Sequence, residues 1–145
     1  MTTDYKKPLP YIHSETKAYW DAAKKHELLI RKCRACDKYH FYPRDFCPTC
    51  FSFDVEWVKA KGSGIIYSFT VCQHPAQHFE SDVPYNIILV ELEEGVRMMS
   101  TMVDCSNDDL KIGMAVEVVY DDVTQEVTLP KFRPINKSCK TMSQG

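Results

Sequence analysis

Cys33-Arg-Ala-Cys36-Asp-Lys-Tyr-His-Phe-Tyr-Pro-Arg-Asp-Phe-Cys47-Pro-Thr-Cys50 is the stretch that decides how this chain folds. It holds two Cys-x-x-Cys turns with ten residues between them. Each turn lets two thiolates converge on one ion. Two such turns on facing hairpins complete a tetrahedron with metal–sulfur distances of about 2.3 Å. A single pair would fit a redox dithiol equally well. Two pairs at this separation point to zinc, with tetrahedral iron as the alternative. Lys32, Arg34, Lys38 and Arg44 stand beside the cysteines, and their charge offsets that of four thiolates. Four thiolates leave no open coordination position, so the expected role is structural. By analogy with zinc-finger peptides, such an ion supplies about 10 kcal/mol or more of folding free energy.

Outward from the cysteines, the chain reads as β. Residues 28–32 read as a strand entering the first turn, and 40–42 as a second short strand stopped by Pro43. From Val55 onward, β-branched and aromatic residues recur in short runs at 55–59, 65–71, 86–93, 96–103, 115–120 and 126–129. Glu93-Glu94-Gly95 and Asp121-Asp122-Val123-Thr124 read as hairpin turns. Five or six short strands with turn signals suggest a small closed barrel. Before the ribbon, Ser14 is expected to cap a helix reaching about His26, with Thr16, Tyr19 or Trp20, and Ala23 at helical spacing. The expected class is therefore mainly β. Its divisions are an N-terminal arm and helix (1–27), a zinc ribbon (28–54), a five- or six-stranded barrel (55–136) and a disordered tail (137–145).

Charge and composition narrow the function classes. The 145 residues carry a net charge of −2. Residues 1–65 hold 12 Lys+Arg against 8 Asp+Glu, or +4, which leaves −6 for residues 66–145. A nucleic-acid surface needs a basic groove with stacking aromatics. The barrel half has the wrong sign for one, so single-stranded nucleic-acid binding is the weaker alternative. No apolar run approaches the ~20 residues that cross a bilayer, and the first residues lack a secretory pattern. The expectation is a soluble cytoplasmic protein. Seven cysteines in that setting are expected to be reduced.

No catalytic residue stands out. His74 and His78 share a long polar loop with Pro75 between them and read as solvated. Cys72 and Cys105 lie in no nucleophile motif and read as inert thiols. There is no P-loop, dinucleotide turn or Ser-His-Asp elbow.

Further stretches carry a resemblance. They are Tyr19-Trp20-Asp21; Phe41-Tyr42-Pro43-Arg44 between the cysteine pairs; Gly62-x-Gly64-x2-Tyr67-Ser68-Phe69-Thr70; Pro84-Tyr85; Leu92-Glu93-Glu94-Gly95-Val96-Arg97; and Leu110-Lys111-Ile112-Gly113-Met114-x-Val116. Over about residues 14–135 the chain resembles a family with an N-terminal helix, a rubredoxin-like zinc ribbon and a C-terminal OB-fold, accessory to thiolase-like acyl-CoA enzymes. One branch resembles it in length, the small subunit of bacterial acetyltransferases acting on acetylphloroglucinols. The resemblance implies a non-catalytic subunit of a thiolase-like acyltransferase complex performing carbon acylation. The nucleophilic cysteine would then lie on the large partner chains. It also implies acyl-CoA as a ligand that some members hold or relay. On that reading Tyr11, Tyr19 and Trp20 are candidate partner contacts. His74, His78, Tyr85 and Arg97 are candidate pocket-lining residues. The alternative for Tyr19 and Trp20 is that they cover the chain's own ribbon or barrel.

Overall fold

The structure, a computed structural model, describes residues 7–135. The expected tail at 137–145, with Cys139, lies outside the described residues. Helix α1 spans Lys17–Lys24. Strands β1 (Leu29–Cys33), β2 (Tyr39–His40) and β3 (Val55–Lys59) form an antiparallel three-stranded sheet in the order β2-β1-β3. Strands β4 (Ser63–Cys72), β5 (Tyr85–Leu92), β6 (Arg97–Ser100), β7 (Ala115–Asp122) and β8 (Thr128–Pro134) form a five-stranded sheet in the order β6-β5-β4-β7-β8.

That second sheet curls on itself. Just past β6, the Thr101 carbonyl accepts from the Phe132 N–H at 3.1 Å, and the Val103 N–H donates to the Phe132 carbonyl at 2.8 Å. This parallel bridge joins the two outer strands. A five-stranded OB-type barrel results. Strand β4 can serve two neighbours because it is long and broken by a bulge. Its first residues pair with β7 and the whole strand pairs with β5, the register shifting between Ile66 and Ser68. A bulge adds the local twist that closure needs. Gly64 lies where β4 passes close to β5, and a Cβ there would stand 2.3 Å from the Glu91 carbonyl oxygen.

Alternation along β5 is complete. Asn86, Ile88, Val90 and Leu92 point inward and are buried, while their neighbours are half-buried. They meet Ile66, Val116 and Phe132 in one core that also takes Tyr19, Leu28 and Ile30. Each fully buried apolar side chain contributes about 1.5–3 kcal/mol. Helix, ribbon and barrel thus share a single interior.

Three expectations shift. Strand β3, read with the barrel, completes the ribbon sheet by pairing along all of β1. Ser14 does not cap α1; Thr16 stands at the N-cap, and its hydroxyl is engaged with the His13 backbone rather than with the helix. Cys105, expected as a reduced thiol, is buried and disulfide-bonded. Cys72 is free, as expected. Among the described residues, no helix is long and apolar enough to cross a membrane.

Candidate metal centre and adjoining groove

The two cysteine turns are built alike. In the first, the Cys33 N–H donates to the Lys38 carbonyl and the Asp37 N–H to the Cys33 carbonyl, both at 2.9 Å. In the second, the Cys47 N–H donates to the Ser52 carbonyl and the Phe51 N–H to the Cys47 carbonyl, both at 2.8 Å. The residue after the second cysteine of each turn is left-handed, with φ of 62° at Asp37 and 65° at Phe51. Asp tolerates that conformation, whereas for Phe it costs about 1–2 kcal/mol. Arg34 clamps the first turn to the start of β3 through its Nε–H to Asp54 at 2.8 Å.

These turns bring Cys33, Cys36, Cys47 and Cys50 together, with all four sulfurs within 4.8 Å of one another. Cys33 and Cys50 stand 3.6 Å apart, as do Cys36 and Cys47. Sulfurs around a tetrahedral zinc ion with bonds of about 2.3 Å would be about 3.8 Å apart. The residues fit the ion. Backbone N–H groups at 3.4 Å, from Cys36 to the Cys33 sulfur and from Thr49 to the Cys47 sulfur, favour thiolates. N–H donation, first from Cys50 and also from Thr49, pulls the Cys47 thiol down to about 6. Cys36 is pushed the other way, to about 12. Its N–H donor at Lys38 lowers it, but burial and sharing with the other three sulfurs outweigh that donor. Four thiols this close cannot all ionise without a cation between them. Behind them, Arg31 is buried with its guanidinium 4.3 Å from the Trp57 ring, and burial holds its pKa down. His40 beside it is also buried, which lowers its pKa.

An apolar groove lies between the ribbon side and the barrel seam. One stretch, about 440 Å³, is lined by Trp20, Phe41, Tyr42, Met99 and Leu129. A second, about 680 Å³, continues past Met99 to Tyr85, Ile87 and Phe79. Asn86 braces its wall. The side-chain oxygen of Asn86 accepts from the Met102 N–H at 2.7 Å, and its amide donates to Asn107 at 2.9 Å and to the Met102 carbonyl at 3.2 Å.

With this geometry in hand, the likeness to known proteins is specific. Residues 20–56 match the ChsH2 rubredoxin-like zinc ribbon domain, and residues 57–121 match the ChsH2 C-terminal OB-fold domain. A DUF35 domain-containing scaffold protein of Methanocaldococcus jannaschii is 35% identical over 124 residues, which is 80% of this chain and 88% of that protein. The chain belongs to the DUF35 family. A probable enoyl-CoA hydratase alpha subunit of Thermomonospora curvata is 39% identical over 128 residues. That match takes in 88% of this chain but only 40% of the hydratase subunit. Among solved structures, the Ltp2-ChsH2(DUF35) aldolase superposes with a TM-score of 0.78 at 38% identity. The superposition covers 87% of this chain and 98% of that one.

In this DUF35 chain the other candidate residues scatter. Trp20 and Tyr85 line the groove at its two ends. Tyr19 is buried in the core and packs on the chain's own interior, with an edge in the lining of the first stretch of the groove. Tyr11 is 77% exposed and meets the His13 ring edge-on. His74 and His78 are exposed in their loop and line neither stretch of the groove. Arg97 stacks on Tyr67 at 3.7 Å and pairs with Glu91 at 3.1 Å, outside the groove. Sequence reasoning placed Tyr85 beside a pocket but missed the course of the groove along β6 and the ribbon-tip rings Phe51 and Phe53, 70% and 80% exposed around Phe46. Three phenylalanines within eight residues, Phe46 to Phe53, were the available signal.

Proposed function

We propose that this chain is a non-catalytic accessory subunit of a thiolase-like acyltransferase complex and holds one structural zinc ion. The observation that carries the reading is the likeness to the Ltp2-ChsH2(DUF35) aldolase across 98% of the matched chain, joined to the identity with DUF35 scaffold proteins. A closed four-sulfur site supports a structural ion, because no coordination position is left for substrate. In this reading the zinc fixes the two turns, and the turns fix β1 and β3. The ribbon then stands rigidly against the barrel and presents a composite surface to a larger chain. The acyl group and the nucleophilic cysteine reside on that partner, and the reaction is a carbon acylation.

The test is purification of the full-length protein from its source cells, followed by intact-complex mass and metal analysis. The expected result is co-purification with larger thiolase-like chains, with about one zinc per copy and acyl transfer only by the complex. Recovery as a lone monomer from native extract, at concentrations where it is abundant, would overturn the subunit reading.

A further inference from the structure

Strand β6 runs along the groove with half of its main chain unused. The Gly95 N–H donates to the Leu92 carbonyl and the Leu92 N–H donates to the Val96 carbonyl, each at 2.8 Å. This is a hairpin turn with a bulge at Gly95. Antiparallel ladders alternate hydrogen-bonded and non-bonded pairs. Counting from Leu92 and Val96, the bonded pairs are Val90 with Met98 and Ile88 with Ser100. The N–H and C=O groups of Arg97 and Met99 therefore face away from β5. Thr101 fits the same phase, since its carbonyl faces that way and accepts from Phe132.

The seam with β8 should use those groups, and it does not. Phe132 donates to Thr101, so the same parallel ladder two residues earlier needs residue 130 to donate to the Met99 carbonyl. Residue 130 is proline, which has no N–H. The Pro130 carbonyl is occupied by the Ser100 hydroxyl at 2.9 Å. The seam stops there, and among the described residues none takes the outward main-chain groups of Met99. The Met99 side chain is 70% exposed beside them.

We propose that this edge receives an extended, uncharged segment of the partner polypeptide, which pairs with β6 at Met99 as an added strand. Strand addition draws affinity from main-chain hydrogen bonds and specificity from alternate side chains in flanking pockets. The groove supplies such pockets, with Trp20 and Tyr42 on one side and Tyr85 and Ile87 on the other. Charge complementarity selects the occupant. Lys131 pairs with Asp121 at 2.7 Å and Lys7 with Asp82 at 2.6 Å, so the charged residues of the lining cancel. A lining without surplus charge complements a neutral main chain with apolar side chains, and offers nothing extra to a phosphate or an acidic tail.

The proposal rests on the accessory-subunit reading, and its test separates the two. Amide hydrogen exchange at Met99 is measured in the isolated full-length chain and in the native complex. Pairing slows that amide by about tenfold or more in the complex. In parallel, Met99→Pro removes the outward N–H, whereas Met99→Ala keeps it. Proline is tolerated on strand edges, so M99P is expected to keep its zinc and melting temperature and to assemble about tenfold or more weakly. M99A is expected to assemble like the wild type. If M99P does not fold, the exchange measurement on the wild type decides alone. A complex in which the Met99 amide exchanges as fast as in the free chain overturns the strand pairing and leaves the subunit reading intact. Absence of any complex overturns both.

Discussion

Single residues set how closely the backbone segments approach. At Gly64 a Cβ would meet the Glu91 carbonyl at 2.3 Å. That oxygen belongs to the β5 main chain and cannot rotate aside as a flexible side chain would. Gly64→Ala is therefore expected to destabilise the barrel by about 1–3 kcal/mol, read as a lowered midpoint in chemical denaturation. An unchanged midpoint would show that β4 and β5 can separate at that point. Asn86 shows the opposite problem for sequence reading. It occupies an inward, apolar-type position in the β5 alternation, yet it is satisfied by Met102, Thr101 and Asn107. Those partners come from a loop whose course the sequence does not reveal. The four-cysteine cluster was legible because two cysteine turns dictate their own local geometry. Their left-handed residues were not, since Phe51 is an unlikely side chain for φ of 65°.

At the scale of elements, the end of α1 is tied to the barrel by one polar contact. His26 Nε2 lies 3.2 Å from Asp122 in β7, and its ring stacks on Tyr120 at 5.0 Å. The Thr128 hydroxyl donates to the same carboxylate at 2.5 Å. That donation, then His26, holds the Asp122 pKa below its usual value of 3.8. A depressed carboxylate contributes stability that is present above its unfolded pKa and is lost as pH falls through the folded one. The stability difference between wild type and Asp122→Asn should therefore be largest above about pH 4 and vanish in stronger acid. Paired denaturation curves across that range would show it. A difference that stays constant down to low pH would assign the effect to packing of the amide instead. Strands β1 to β7 were read within about three residues of their observed ends, because alternation and turn residues are local signals, whereas β8, read as 126–129, runs on to Pro134. The helix start was displaced, because the Thr16 hydroxyl is engaged with His13 and not with the helix.

Over the whole molecule, ribbon and barrel behave as one body. Leu28 and Ile30 from the ribbon side share a core with Ile66, Val90 and Phe132. Loss of the metal should therefore reach beyond the ribbon. Chelation is expected to lower the melting temperature of the entire chain and to abolish assembly with the proposed partner, and added zinc should restore both. A chelated chain that still assembles at unchanged affinity would sink the structural role of the ion. A related expectation concerns Cys72, which is free and half-buried in β4. If the proposed complex carries out acyl transfer, Cys72→Ser should leave that activity unchanged, as measured by turnover. A loss of turnover with assembly intact would move a catalytic role onto this chain.

The sequence by itself determined the four cysteines of the candidate metal site, the mainly β class, the order of ribbon before barrel and the family resemblance. All of these rest on patterns a few residues long: cysteine spacing, alternation, glycine at turns. Tertiary structure alone decided which sheet β3 joins, where the barrel closes and why its seam ends at Pro130. Those outcomes depend on which distant strand presents a donor to which acceptor. Strand pairing is a long-range choice among edges that look alike in one dimension, and only the folded chain shows the edge of Met99 left open by the other described residues.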